Sequence, residues 1–142
     1  MPSAAASVVL DTGPLVALLD ADETHHAWAF EQFQQLRPPL LTCEAVLTEA
    51  CFLITRTGAD PSVVTELVER GVLTVAKLFD DEAIALGRLI TRYRNVPMSL
   101  ADACLVRLVE MTPHAKVFTL DRDFSIYRQS RRRVIPLLAP WL

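Results

Sequence analysis

Short apolar runs alternate along the chain with longer segments of helical periodicity. Residues 8–10, Val-Val-Leu, form a run of β-favouring side chains that ends at Asp11. An uninterrupted apolar run of this kind is typical of a strand buried on both faces, as in a parallel sheet. Gly13 and Pro14 follow, and proline favours the first turn of a helix. The pattern therefore predicts a strand, then a carboxylate, then a helix over about 15–19.

The same alternation continues through the rest of the chain. Helices with an apolar side are predicted at about 25–36, 43–56, 60–70, 81–93 and 99–112. Further strands are predicted at 40–41, 72–75, 117–120 and 134–135. Thr42 has the chemistry of an N-cap for the helix that follows it, and Pro136 suits only an edge strand. Strands alternating with helices predict an α/β fold with a parallel sheet covered on both sides.

The composition indicates a globular protein. With 142 residues, 51% hydrophobic and 22% charged, the chain fits a single domain over 1–142 and is long enough to bury a core. No apolar stretch reaches the length of a membrane span, and residues 1–6 lack the basic end of a secretory signal. We therefore expect a cytoplasmic protein that does not enter a membrane.

Cysteine usage and net charge exclude two further classes. Cys43, Cys51 and Cys104 have no zinc-ligand spacing, so we interpret them as small buried hydrophobic residues. The formal net charge of -3 argues against a protein that coats nucleic acid non-specifically, because such proteins carry a clear basic excess. An enzyme that gathers its acids in one place and its arginines in another remains compatible with this charge.

Four acidic residues are predicted to converge. Asp11 and Asp121 each follow a predicted strand, and the carboxyl ends of parallel strands form the edge where ligands bind in α/β sheets. Glu49 and Asp102 lie on helices with apolar residues one turn away, so both are expected at the margin of the core. Asp123 is a candidate fifth member. The sequence thus predicts a cluster of carboxylates at one edge of the sheet.

Clustered carboxylates favour a hard divalent cation. Neighbouring anions resist ionising together, so such a cluster is stable at neutral pH only when cations are present. Oxygen ligands without histidine or cysteine select Mg²⁺ or Mn²⁺. Ions held in this way typically serve phosphoryl chemistry, and metal-assisted phosphodiester hydrolysis is the natural reaction. The chain contains no Gly-x-Ser-x-Gly and no Cys/His pair that would indicate a covalent nucleophile.

Structural roles remain open for two of these acids. Asp11 has the chemistry of an N-cap for the helix that follows it. Ser99 followed three residues later by Asp102 resembles a capping box, although Glu or Gln is the usual partner. Each residue has a helix-capping alternative to the metal-site interpretation.

The acidic motifs resemble those of the PIN-domain ribonucleases, especially the VapC-type toxins of toxin–antitoxin pairs. Asp11 stands within Val-Leu-Asp-Thr-Gly-Pro-Leu-Val-Ala-Leu-Leu-Asp, which is similar to the opening motif of the family. Glu49 in Leu-Thr-Glu-Ala matches the second acid, and Asp102 in Ser-Leu-Ala-Asp-Ala-Cys-Leu matches the third. Asp121 belongs to Thr-Leu-Asp-Arg-Asp-Phe, which matches the last motif. Where many relatives have Ser or Asn two residues after the first acid, this chain has Gly13.

This resemblance implies a fold, a reaction and partners. The implied fold is a three-layer α/β/α sandwich, and the implied reaction is divalent-metal-dependent cleavage of RNA. Homodimers and inhibition by a small antitoxin protein are implied as well. The resemblance gives the catalytic and metal-binding roles to the four acids, with Asp123 as a further metal ligand. Thr12 and Thr119 are the hydroxyl residues expected beside the metal site.

An arginine-rich segment near the last predicted strand is a candidate for RNA binding. Arg128, Arg131 and Arg132 are expected to contact phosphates at the mouth of the acidic site, although a solvated surface segment is an equally good interpretation. Two other functions are considered for the chain as a whole. One is a receiver-like signalling module that binds Mg²⁺, and the other is an inactive PIN-like module that only binds RNA.

Overall fold

The structure is a computed structural model that describes residues 7–142. Residues 1–6, on which the expectation about a secretory signal rests, lie outside the described residues. The strands are β1 (Val8–Leu10), β2 (Leu40–Cys43), β3 (Leu73–Ala76), β4 (Lys116–Phe118), β5 (Arg128–Gln129), β6 (Arg133–Val134) and β7 (Leu137–Leu138). The helices are α1 (Thr12–Leu19), α2 (His26–Gln35), α3 (Glu44–Arg56), α4 (Ser62–Glu69), α5 (Phe79–Arg92) and α6 (Leu100–Met111).

Five strands form a parallel sheet in the order β3-β2-β1-β4-β7. Strand β1 lies at the centre, with Val9 opposite Leu41 of β2 and Val117 of β4. Because every pair is parallel, the carboxyl ends of β1 and β4 open at the same edge. The predicted α/β fold with a mainly parallel sheet is confirmed.

The two faces of the sheet bury separate cores. Side chains alternate along a strand, so Val8 and Leu10 point to one core while Val9 points to the other. The first core is closed by α1, α3 and α4, and the rings of α2 pack on Phe118 of β4. The second core is closed mainly by α5 and α6. The result is the three-layer arrangement of helices, sheet and helices.

Thr42 does not cap a helix, contrary to the prediction. It lies within β2, where its buried hydroxyl donates a hydrogen bond of 2.9 Å to the carbonyl oxygen of Leu10 in the neighbouring strand. Helix α3 begins at Glu44, and Cys43 occupies the cap position without a side-chain hydrogen bond. A buried hydroxyl needs a partner, and the adjacent strand supplies it.

The prediction that residues 134–135 form the last strand of the sheet is also wrong. Strand β6 (Arg133–Val134) pairs antiparallel with β5 in a separate two-stranded hairpin. The edge strand of the main sheet is β7 (Leu137–Leu138), which pairs with β4 beyond Pro136. The carbonyl of Pro136 accepts a hydrogen bond of 2.9 Å from the amide of Val117, so proline lies at the start of the edge strand, where its missing N–H is tolerated.

The cysteines and the helix lengths agree with the sequence analysis. All three cysteines are free thiols, with Cys43 and Cys104 buried and Cys51 partly buried. Within residues 7–142, every helix is too short or too polar to cross a membrane.

Candidate metal centre

An open cleft of about 540 Å³ lies beyond the carboxyl ends of β1 and β4. Five carboxylates line it: Asp11, Glu49, Asp102, Asp121 and Asp123. Four separate parts of the chain supply them, namely the end of β1, helix α3, the start of α6 and the turn after β4. The structure therefore brings together all five acids that the sequence singles out.

Asp11 forms the buried floor of the cleft, with only 6% of its surface exposed. Its Oδ1 accepts a hydrogen bond of 2.8 Å from the amide of Thr12, which makes Asp11 the N-cap of α1. Its Oδ2 accepts a hydrogen bond of 2.6 Å from the hydroxyl of Thr119. The capping alternative is thus confirmed, and the same carboxylate also faces the cleft.

Asp102 likewise combines a capping role with a place in the cleft. Ser99 Oγ accepts a hydrogen bond of 3.0 Å from the Asp102 amide, and Asp102 Oδ2 accepts one of 3.3 Å from the Ser99 amide, so the capping box is present. The hydroxyl of Tyr127 donates a third hydrogen bond, 3.0 Å long, to the same Oδ2. In the described chain, these bonds leave Oδ1 of Asp102 open to a ligand.

The turn after β4 is built around Thr119. Its hydroxyl donates to Asp11 and accepts a hydrogen bond of 2.9 Å from the amide of Asp121. Asp121 Oδ1 then accepts a hydrogen bond of 2.9 Å from the amide of Asp123. This bond makes Asp121 the N-cap of a short 3₁₀ helix over Arg122–Ser125. One threonine therefore links the acid of the first motif to the acids of the last.

Glu49 is held more loosely than the other acids. It was expected at the margin of the core, but the structure places it on the exposed side of α3. Its Oε2 accepts a hydrogen bond of 3.1 Å from the hydroxyl of Thr12, which points it toward the cleft. Thr12 and Thr119, the two predicted hydroxyl neighbours, thus each bond to a different carboxylate of the cleft.

Burial and mutual repulsion raise the pKa values of these acids. Burial, with smaller contributions from the charges of Asp102 and Asp121, raises the pKa of Asp11 to about 7, although hydrogen bonds from Thr119 and Thr12 oppose the shift. Burial is also the main cause of the raised pKa of Asp102, and the charge of Asp121 adds to it. The pKa of Asp123 is raised by burial and then by Asp121. The cluster thus holds more negative charge than its surroundings balance.

The donor set fits a hard cation. All candidate ligands are carboxylate or hydroxyl oxygens, which suit Mg²⁺ and Mn²⁺. Within residues 7–142, no three carboxylates, imidazoles or thiols are gathered closely enough to hold one ion between them. Mg²⁺ does not require such a cage, because it usually keeps several waters and is bound through one or two carboxylates. Asp11 and Asp121, joined through Thr119, with Asp102 opposite, are the residues best arranged to hold it.

The predicted arginines lie away from the cleft. Nη1 of Arg128 donates to the carbonyls of Ser125, Ile126 and Tyr127 and so stabilises its own loop. Arg131 and Arg132 are exposed in the turn between β5 and β6, where Arg131 faces helix α5. None of the three is among the residues that line the cleft, and the hairpin that carries them packs on α6. Their contact with RNA stays a prediction.

Two residues of the site escape the sequence analysis. Arg122 lines the cleft, and its guanidinium lies 4.8 Å from the ring centre of Trp141. The position of Arg122 in the sequence, between Asp121 and Asp123, could have identified it as a residue of the site. Tyr127 is fully buried and is the side-chain partner of Asp102, yet no pattern in the sequence marks it.

Close packing explains why position 13 is a glycine. A Cβ at this position would lie 3.1 Å from Cβ of Leu120 and 3.3 Å from its Cδ1, which is closer than ordinary contact. Leu120 belongs to the turn that carries Asp121 into the cleft. The glycine therefore allows α1 and this turn to approach each other.

Three comparisons with known proteins agree with one another. The family model described as "PIN domain" matches residues 8–129. The chain is 32% identical over 136 residues to "Ribonuclease VapC26" of Mycobacterium tuberculosis, a match that covers 91% of this chain and 100% of that protein. The fold matches the crystal structure of Mycobacterium tuberculosis VapC20, titled a sarcin-ricin loop cleaving toxin, with a TM-score of 0.76 and 23% identity. That match covers 92% of this chain and 100% of the other.

The raised pKa of Asp11 makes stability depend on pH in the metal-free protein. Its pKa is about 7 in the folded state, against about 3.9 in an unfolded chain. The contribution of Asp11 to stability is therefore most favourable below about pH 4 and is lost as the pH rises to about 7. In EDTA at about pH 8, Asp11→Asn should raise the free energy of unfolding by up to about 4 kcal/mol, because each pKa unit corresponds to about 1.4 kcal/mol.

Calorimetry across the pH range measures this effect. The gain should shrink as the pH falls and vanish below about pH 4, where the wild-type carboxyl becomes protonated in both states. Asp22→Asn, at an exposed position outside the cleft, is the matched control and should change little at any pH. A loss of stability in Asp11→Asn at about pH 8, or a gain that is the same at about pH 8 and in acid, would contradict the prediction.

Tyr127→Phe tests how Asp102 is held. Phenylalanine keeps the ring contacts with Tyr93 and Phe124 but removes the hydrogen bond to Asp102. We expect urea unfolding at neutral pH to show a loss of about 1.5–3 kcal/mol in the free energy of unfolding, the usual range for a hydrogen bond to a charged group. The loss should diminish in acid, where Asp102 is protonated.

Tyr93→Phe is the control for this pair. The Tyr93 hydroxyl accepts a hydrogen bond of 2.9 Å from the amide of Arg128 and touches no carboxylate. The free energy of unfolding lost in Tyr93→Phe should therefore be similar at neutral and acidic pH. Equal pH dependence in the two variants would mean that Tyr127 does not stabilise the charged form of Asp102.

Proposed function

The chain belongs to the PIN domain family, and from this premise we propose that it is a divalent-metal-dependent endoribonuclease and the toxin of a toxin–antitoxin pair. The observation that carries the proposal is the single cleft in which five carboxylates from four parts of the chain meet. The ribonuclease name of the relative that is 32% identical supports RNA as the substrate. We further propose that residues 1–142 form one domain that acts in the cytoplasm.

Asp11, Glu49, Asp102, Asp121 and Asp123 are the candidate ligands of Mg²⁺ or Mn²⁺. One or two of them would bind the ion directly, and the others would bind the waters that it keeps. When bound, the ion supplies Lewis acidity, which neutralises charge on the scissile phosphate and makes an attacking water more acidic. The raised pKa of Asp11 supports this assignment, because a cation beside the carboxylate would restore its ionised form at neutral pH.

The protein contributes by fixing these oxygens in place. Asp11 is held from two sides by Thr12 and Thr119, and Asp102 is held by Ser99 and Tyr127. Carboxylates fixed in this way need little reorganisation when phosphate and cation arrive, which is the basis of electrostatic preorganisation. Glu49 has a single tether and more exposure, so it can follow an incoming water or phosphate.

The alternative functions fit the cleft less well. A receiver-like module requires paired acids after its first strand, but here Asp11 is followed by Thr12 and Gly13. An RNA-binding module without catalysis would gain nothing from a buried carboxylate that weakens the metal-free fold and repels phosphate. The acids are explained by a cation and by the hydrolysis it supports.

RNA cleavage by the purified protein tests the proposal. With Mg²⁺ or Mn²⁺ we expect cleavage of single-stranded RNA that EDTA abolishes. Asp11→Asn and Asp102→Asn should each lower the rate by about 100-fold or more, as expected when a group that stabilises the transition state is lost. Asp22→Asn should retain full activity. Cleavage that survives EDTA and both cleft substitutions would overturn the metal-site assignment.

The toxin proposal has its own test. We propose a homodimer that a small antitoxin protein inhibits, and the antitoxin gene is expected beside that of this chain. Expression of the wild type alone should arrest growth, whereas Asp11→Asn should not, because the arrest depends on cleavage. Co-expression of the adjacent small protein should restore growth and abolish cleavage by the purified complex. Growth arrest by Asp11→Asn at equal protein levels would contradict this account.

A further inference from the structure

Three arginines meet in a shallow depression on the outer surface, outside the acidic cleft. Arg88 and Arg92 lie one turn apart on α5, so their side chains share one face of the helix. Arg131, from the turn of the β5–β6 hairpin, completes the depression. We call these three residues, with Gly87 between them, the arginine patch.

The charges of the arginine patch are not balanced by the protein. Within residues 7–142, none of the three arginines forms an ion pair or a side-chain hydrogen bond. The acids on the adjoining surfaces, Glu82 and Glu110, both bind Arg107 instead. Like charges one turn apart destabilise a helix by a few tenths of a kcal/mol. An anion from outside the chain would reverse this repulsion.

Gly87 has no role in the packing of α5. It lies in the interior of the helix, its φ is in the ordinary helical region, and a Cβ placed there would meet nothing within 4 Å. Glycine at such a position weakens a helix relative to alanine. Because it has no side chain, Gly87 instead leaves bare backbone in the lining of the depression, where a ligand can approach closely.

The hairpin turn presents Arg131 in a strained conformation. Ser130 has a φ of 48° and Arg131 a φ of 73°, a region that residues with a side chain rarely adopt. The amide of Ser130 is bonded to Glu110 on α6, which fixes the turn against the helix. Positive φ at two consecutive residues is what a tight hairpin turn requires, and here it places Arg131 at the exposed tip of the hairpin.

The arginine patch is connected to the acidic cleft through two tyrosines. Tyr93 directly follows Arg92, and its ring packs on that of Tyr127 with centres 5.0 Å apart. Tyr127 in turn bonds to Asp102 in the cleft. The loop after Tyr93 leads to Pro97 and Ser99, which line the cleft themselves. Because Tyr127 is fully buried, this connection runs through the interior of the protein, and the loop from Tyr93 to Ser99 is a second connection along the chain.

We propose that the arginine patch binds the phosphodiester backbone of the RNA whose scissile phosphate lies in the cleft. This inference rests on the proposed function and adds to it a second contact region outside the cleft. The three guanidinium groups match phosphate geometry, and bare backbone at Gly87 leaves room for the strand. Contacts of this kind fix the position of the strand without reading its sequence.

Fluorescence anisotropy with labelled single-stranded RNA in EDTA tests the patch without cleavage. One oligonucleotide fills only the cleft, and the other is several times longer. The variant Arg88→Gln/Arg92→Gln should bind the long RNA roughly tenfold more weakly and reduce the slope of log affinity against log salt by about 1 to 1.5, at about 0.7 per phosphate contact. In EDTA the short RNA should bind both the wild type and the variant weakly, because the metal-free carboxylates of the cleft repel its phosphates.

A matched control removes the same charge elsewhere. Arg37→Gln/Arg70→Gln changes two exposed arginines that precede β2 and β3, at the opposite edge of the sheet. This double variant should keep the wild-type slope of log affinity against log salt for the long RNA. Equal slopes for the two double variants would overturn the proposal.

Two single variants separate the patch from the stability of the fold. Arg131→Gly removes the charge and also relieves the positive φ at this position. Gly87→Leu adds a side chain to the lining of the patch and should raise the melting temperature by a few degrees, because leucine favours a helix more than glycine does. Both should weaken binding of the long RNA. Unchanged binding in both variants would overturn the proposal.

The same variants distinguish this proposal from two others. If they left RNA binding intact but weakened binding of a polyglutamate peptide, the patch would be a site for an acidic protein, and the proposal would be wrong. Cleavage of the short RNA with Mn²⁺ should be unaffected by Arg88→Gln/Arg92→Gln. Absence of cleavage by the wild type would overturn the proposed ribonuclease activity, whereas the binding measurements would still decide the role of the patch.

Discussion

The buried carboxylate of Asp11 is the constraint on which the rest of the site depends. It ends the central strand, caps α1 through the amide of Thr12 and accepts the hydroxyl of Thr119 across from β4. Those two bonds fix the start of a helix and the course of the turn that brings Asp121 into the cleft. They also leave an anion in an apolar setting with its pKa raised to about 7, so the fold is locally strained until a cation arrives.

Helix capping and metal binding are compatible in this protein. A carboxylate at a helix N-terminus accepts backbone N–H groups with one set of lone pairs and keeps others for a ligand. Asp102 shows this clearly, because both hydrogen bonds that its carboxylate accepts reach Oδ2 and none reaches Oδ1 among the described residues. The capping box sets the position of the side chain, and the buried Tyr127 sets its orientation. A structural role for an acid at this sheet edge is therefore part of how the site is built.

The sheet and the convergence of acids were predictable from sequence because both follow from local pattern. Buried parallel strands are continuous apolar runs, and acids placed just after them share one edge. Thr42 was misassigned because threonine suits a cap and a buried strand alike, and only the carbonyl of Leu10 decides between them. The positions of Tyr127 and the hairpin arginines depend on contacts between distant segments, which no local pattern encodes.

The separation of acids and arginines has an electrostatic consequence. A cleft lined by carboxylates repels phosphate until a cation neutralises it, so attraction at a distance must come from elsewhere on the surface. With a formal net charge of -3, the chain as a whole does not supply it. Further arginines inside the cleft would pair with the carboxylates and compete with the metal. Arg122, which lines the cleft, lies over the ring of Trp141 instead and forms no ion pair within residues 7–142. Placing Arg88, Arg92 and Arg131 on an adjoining surface keeps positive charge available for a phosphate backbone while the acids stay free for the ion.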